Sequence, residues 1–239
     1  MKNDMEISRL LDFQKTIHSR IENFAEEKGL TEANCKPILN GIADIAGYVS
    51  SSPKIMWILK EAWGEENENN KISGGDDEIW ECWEPKKFNT PTWLPMLYLL
   101  YGIRQGKNRV EYRDMPKAAE SMLELLKQSA YINLSKMPGR TTSGNMRAEY
   151  ALWRDIIHDQ INGYNPDIII FGGTFDVMKN DLNLSDAKPI CKTPTEEIAH
   201  FYRDNHGRLL INTMHPAQSR ISWDYYIDEI VYKIRELNN

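Results

Sequence analysis

The segment Lys54-Ile55-Met56-Trp57-Ile58-Leu59-Lys60-Glu61-Ala62-Trp63-Gly64-Glu65-Glu66 constrains the fold more than any other part of the chain. Its first half is a continuous apolar run, which suits a strand covered on both faces. Its second half stops abruptly in carboxylates beside a glycine. Three further apolar runs read as strands, Ala130 to Leu134, Asp167 to Phe171 and Arg208 to Thr213, and the first and last of them also lead into polar residues, Asn133 and His215. Helical periodicity lies between and around them, over residues 5–28, 36–47, 91–103, 115–128 and 146–162, and from Trp223 to Leu237. Another helix is expected to start near Thr174, whose hydroxyl could cap it. Four buried strands alternating with helices predict an α/β protein, a three-layer α/β/α domain with a central four-stranded parallel sheet. A length of 239 residues suits one such domain, with helices 5–47 packed on a core over 54–220. Open sheets of this kind place their chemistry at the C-terminal ends of the strands. Glu61, Asn133 and His215 stand at three of those ends and are expected to converge on one pocket.

The remaining segments bear less directly on function. Residues 64–90 form a long polar stretch carrying Trp80, Trp83 and Phe88. A loop this long is usually functional or disordered, and its aromatics can pin it to the core or stack on bases. Arg104, Lys107, Arg109 and Arg113 form the densest basic cluster, which reads equally as a phosphate-contacting surface or as a solvated loop. Residues 183–206 are irregular and polar, with room for one strand. His18, among polar residues of the first helix, is expected to be a solvated surface histidine.

Composition narrows the function classes. A formal net charge of −6 gives no basis for tight non-specific nucleic-acid binding, although a local basic patch is compatible with it. Cys35, Cys82 and Cys191 are too few and too scattered for a disulfide framework or a C-x-x-C metal site, and isolated thiols suit a reducing cytoplasm. No apolar run approaches the ~20 residues that span a bilayer. The start, Met-Lys-Asn-Asp-Met-Glu, leads into charged helix, so no secretory signal is expected. No Walker or dinucleotide fingerprint is present.

The order of strand-end motifs resembles the uracil-DNA glycosylase superfamily. Lys60-Glu61-Ala62-Trp63-Gly64-Glu65-Glu66 is similar to the first motif of its iron–sulfur branch, Gly-Glu-Ala-Pro-Gly followed by acids. Tyr131-Ile132-Asn133 matches the apolar strand ending in asparagine. His215-Pro216-Ala217 matches the final His-Pro motif, and Pro166 to Gly173 sits where the superfamily has a similar strand. Lys60 and Trp63 depart from the first motif, replacing its glycine and proline. The four cysteines of the iron–sulfur cluster are missing, so no cluster, metal or other cofactor is expected.

The resemblance implies a monofunctional DNA glycosylase acting in base-excision repair, a hydrolase of the N-glycosidic bond of uracil or a related deaminated base. Its oxocarbenium-like sugar would be served by Glu61 and a positioned water. The base anion would be stabilised by His215. Asn133 would read the base edge, Phe88 would stack on the flipped base, and Trp63 and Gly64 would shape the pocket floor. Ser135, Lys136, Arg140, Ser219 and Arg220 would contact the DNA backbone. Structural alternatives stand beside these roles. Glu61 and Glu65 could be first-turn acids of a helix, Asn133 a turn residue, Phe88 packing, and Gly172-Gly173 a matter of turn geometry. At the level of function, the alternatives are a catalytically inactive nucleic-acid-binding module and an enzyme on a small nucleoside or nucleotide.

Overall fold

The structure is a computed structural model that describes residues 2–31, 35–61, 65–66, 72–73, 90–105, 110–118, 122–139, 145–195 and 198–237. In chain order the elements are α1 (Lys2–Glu27), β1 (Gly41–Ile42), α2 (Ile45–Ser50), β2 (Ile55–Leu59), β3 (Glu65–Glu66), β4 (Ile72–Ser73), α3 (Trp93–Arg104), a 3-10 turn (Tyr112–Asp114), α4 (Leu123–Lys127) and β5 (Ala130–Asn133). There follow α5 (Met146–Tyr164), β6 (Ile168–Gly172), α6 (Phe175–Met178), β7 (Cys191–Lys192), β8 (Ala199–Arg203), β9 (Leu209–Thr213) and α7 (Trp223–Leu237).

The four apolar runs are the four adjacent parallel strands β5-β2-β6-β9. The sheet itself is larger than the expected four-stranded parallel one. It is a mixed seven-stranded sheet in the order β1-β5-β2-β6-β9-β8-β7, with β1, β8 and β7 added antiparallel at the edges. A separate antiparallel pair joins β3 and β4.

Continuous apolarity follows from burial on both faces. Met56 and Ile58 join one core, with α1, α2 and α5; Ile55, Trp57 and Leu59 join the other, with α3, α4 and α7. The same alternation divides Ile169 and Phe171 from Ile168 and Ile170. The two covers are therefore legs of a doubly wound fold. The chain leaves β2, passes through α3 and α4 on one face, and enters β5 on one side of β2. It then crosses the other face through α5 and enters β6 on the opposite side of β2. Strand order thus reverses between β2 and β6, where sheets of this kind open a crevice.

Several local expectations are corrected. The helix expected over 36–47 is replaced by an extended segment, because Asn40 and Gly41 take positive φ (57° and 134°); helix begins only at Ile45, where Asp44 caps Gly47 N–H at 2.9 Å. Thr174 caps nothing; its Oγ1 donates to the Ile58 carbonyl at 2.8 Å and ties the turn after β6 to β2. Within 115–128 the described helix is confined to Leu123–Lys127, and residues 183–206 hold two strands, β7 and β8. His18 is half-buried, with Nε2 2.6 Å from the Asn40 carbonyl oxygen. Among the described residues no helix is long and apolar enough to cross a membrane.

Candidate active site at the parallel strand ends

Three loops meet over the β2/β6 crevice. Lys60 and Glu61 leave β2, Ser135 to Gly139 leave β5, and Gly173-Thr174 leave β6. Backbone bonds continue the parallel ladder past the strands: Leu134 N–H donates to Leu59 at 2.9 Å and Ser135 N–H to Lys60 at 3.0 Å. The carboxylate arm of Glu61 lies under the β5 loop. A Cβ added to Gly139 would stand 2.9 Å from Glu61 Cγ and 3.5 Å from Cδ. Asn133 pairs in register with Leu59. Its backbone N–H donates to Asn40 Oδ1 at 2.9 Å, while its side-chain amide has no hydrogen-bond partner among the described residues.

The loop after β9 folds back over the crevice. A Cβ on Gly172 would stand 2.7 Å from Leu59 Cδ2 and 3.1 Å from Pro216 Cδ, so only glycine lets the His215-Pro216 turn pack so closely. Tyr226 Oη donates to the Met214 carbonyl at 3.1 Å, and Gln218 N–H closes the turn on the His215 carbonyl at 2.9 Å. The imidazole is fixed by Ala217, whose N–H donates to His215 Nδ1 at 3.2 Å. With Nδ1 accepting, the neutral ring carries its proton on Nε2. Burial, and then the charge of Lys60, hold its pKa below the ordinary histidine value. His215 is therefore built as a neutral donor. The sequence motif pointed to the residue but not to this state, which depends on one backbone N–H in the turn.

Burial of Asn133, Ser135 and Lys136 revises the expected contacts. Lys136 has no exposed surface, and its ammonium nitrogen lies 3.2 Å from Asn40 Oδ1. Burial pushes its pKa well down, favouring the neutral amine. Ser135, also buried, shares its one hydroxyl hydrogen between the Met137 carbonyl and the Glu149 carboxylate, each at 3.0 Å from Oγ. Both residues turn inward instead of toward a nucleic-acid backbone, and what Lys136 and Asn133 share is Asn40, a hub that sequence reasoning missed. Ser219 and Arg220 are exposed. Trp63, Gly64, Phe88 and Arg140 lie outside the described residues, as do Trp80, Trp83, Lys107 and Arg109. Arg104 is half-buried, with Nε and Nη2 lacking hydrogen-bond partners among the described residues, and Arg113 is exposed and paired with Glu111 at 2.9 Å. These two do not extend a basic face.

A cavity of about 390 Å³ lies elsewhere, between α7 and the segment before the 3-10 turn, lined by Val110, Tyr225 and Tyr232. Two of its acids have structural work: Asp228 accepts Tyr112 N–H at 2.7 Å, and Glu229 accepts from the Thr195 N–H and hydroxyl at 2.9 and 2.7 Å. The strand ends remain the better candidate, because among the described residues a carboxylate, an uncommitted amide and an oriented imidazole follow or end the parallel strands β2, β5 and β9, which flank the switch point. No group of three or more His, Cys, Asp or Glu side chains among the described residues is placed to hold a metal ion. No protein-family model matches this chain, and a search of the curated proteins gives no match.

Proposed function

We propose that the protein is a DNA glycosylase-like enzyme of the uracil-DNA glycosylase type, hydrolysing the N-glycosidic bond of uracil or a related deaminated base. The observation that carries this reading is the hydrogen bond that Ala217 N–H donates to His215 Nδ1, which leaves Nε2 as the donor of a neutral ring. A neutral donor at the switch point suits a leaving group that departs as an anion, because it stabilises developing charge without prior proton transfer. Glu61 would orient the attacking water and face the cationic sugar, and the free amide of Asn133 would read a base edge that both donates and accepts. Free Cys35 and Cys191 fit a cytoplasmic setting.

A second reading has a specific observation in its favour. Ser135 and Lys136 face inward, which removes two of the five residues expected to hold a DNA backbone. A small nucleoside or nucleotide would need fewer such contacts. The test is an excision assay on single- and double-stranded oligonucleotides containing uracil, hypoxanthine or xanthine, with the matching nucleosides alongside, for wild type and His215→Ala. Base release that falls by orders of magnitude in the variant supports the reading. Release from nucleosides alone selects the small substrate, and no release from any substrate at high enzyme concentration rules out the enzyme.

A further inference from the structure

Lys60 stands where the resembled first motif has glycine, and its charge has no visible purpose in the fold. It follows β2 directly, at the switch point. It is half-buried, and its ammonium makes no hydrogen bond or ion pair with any described residue. An ammonium that no described carboxylate neutralises is open to pairing with a bound anion. The position of the side chain says where that anion would sit. A Cβ on Gly173 would lie 3.9 Å from Lys60 Cε and 3.9 Å from His215 Cβ. Lysine and histidine thus flank one glycine, which has no side chain to separate them.

We propose that Lys60 and His215 together form an anion site at the β2/β6 switch point, and that its occupant is the departing base in its anionic form. The proposal rests on the glycosylase reading above. In that reaction the bond between the sugar C1′ and the base nitrogen breaks, and its electron pair leaves with the base. The water oxygen held by Glu61 bonds to C1′ and releases a proton to that carboxylate. The negative charge spreads onto the base carbonyl oxygens, where His215 donates Nε2–H and the Lys60 ammonium supplies the balancing charge. Solvent later returns a proton to the released base. The site therefore favours bases acidic enough to persist as anions, such as xanthine, over hypoxanthine, which stays neutral under the same conditions.

The experiment titrates free xanthine and free hypoxanthine into the full chain at mildly alkaline pH, following the ring resonances of His215. Wild type is compared with Lys60→Met and Lys60→Arg. Methionine nearly matches the length of Lys60, and a urea midpoint checks that each variant folds. Xanthine is expected to shift the His215 signals, to bind about tenfold more weakly to Lys60→Met, and to recover most of that loss in Lys60→Arg. Hypoxanthine is expected to bind weakly and equally to all three. Unmoved His215 signals with xanthine, or equal xanthine affinity in Lys60→Met, would overturn the proposal. So would inorganic phosphate displacing xanthine at lower concentration, which would assign the site to a phosphate. Binding is read here without bond cleavage. An inactive protein that still binds xanthine through Lys60 loses the glycosylase reading alone, while an active one indifferent to Lys60 loses the anion site alone.

Discussion

Replacing Asn40 by alanine should cost about 4 kcal/mol of stability, although the residue lies in an irregular segment far in sequence from everything it holds. Asn40 is 3% exposed and sits at φ 57°, a left-handed conformation. Its Oδ1 accepts from Asn133 N–H at 2.9 Å and from the Lys136 amine at 3.2 Å, and both donors are buried. Alanine leaves two orphaned donors, at about 1–3 kcal/mol each. It also loses asparagine's tolerance of the left-handed region, for about 1 kcal/mol more. One water entering the vacated space would return part of this loss. Since whole domains are stable by only about 5–15 kcal/mol, the effect is large. Urea unfolding followed by the fluorescence of the fully buried Trp57 and Trp153 would measure it, with an unchanged m-value as the control. Asn40→Gly tolerates the φ and should be milder by about 1 kcal/mol. Lys136→Met removes one of the orphaned donors, so the double variant Asn40→Ala/Lys136→Met should cost at least about 1 kcal/mol less than the sum of the singles. A loss below about 1 kcal/mol for Asn40→Ala, or additive behaviour with Lys136→Met, would refute the hub.

Three further outcomes follow from the strand-end geometry. Gly172→Ala forces a methyl against Leu59 and Pro216; it should cost about 1–3 kcal/mol and move the His215 resonances, and silent resonances would show that the turn does not rest on this glycine. Gly139→Ala presses on the flexible arm of Glu61, so under the proposed glycosylase function base release should fall about tenfold while the melting temperature barely changes; a matched loss of both would mean a folding defect instead. His215 is held low by burial and then by Lys60, and His158 is held low chiefly by burial. Below the ordinary histidine value of 6.5 the unfolded chain takes up protons that the folded one resists, so stability should fall as pH drops through that range. His215→Gln should flatten part of that slope, and an unaltered slope would contradict the assignment.

The parallel centre of the sheet was legible because burial on both faces writes itself as an unbroken apolar run, as in Ile55 to Leu59 and Ile168 to Phe171. The antiparallel edges carry no such signature. Gly41–Ile42 and Cys191–Lys192 are two residues each, too short for any period, and they exist because neighbouring strands recruit them. Glu61, Asn133 and His215 were legible as polar punctuation at strand ends. Asn40 was not, since its partners Asn133 and Lys136 are 93 and 96 residues away. Lys136 was misplaced for a general reason: lysines almost never lose all contact with water, and the polar loop around it gave no sign that this one does.

The β1 edge has a consequence for how this protein behaves in a crowded solution. A sheet margin with free amide and carbonyl groups is a template on which another chain can lay down a strand. Here the carboxamide of Gln14, projecting from α1, accepts from Ile42 N–H at 2.8 Å and donates to the Ile42 carbonyl at 3.1 Å. One side chain thus imitates the backbone of the strand that would come next, and a helix closes the ladder without adding a rung. Growth of fibrils from that margin would first have to pull the first helix away, so the resistance of the folded protein to ordered aggregation is tied to the docking of a segment that carries no chemistry of its own.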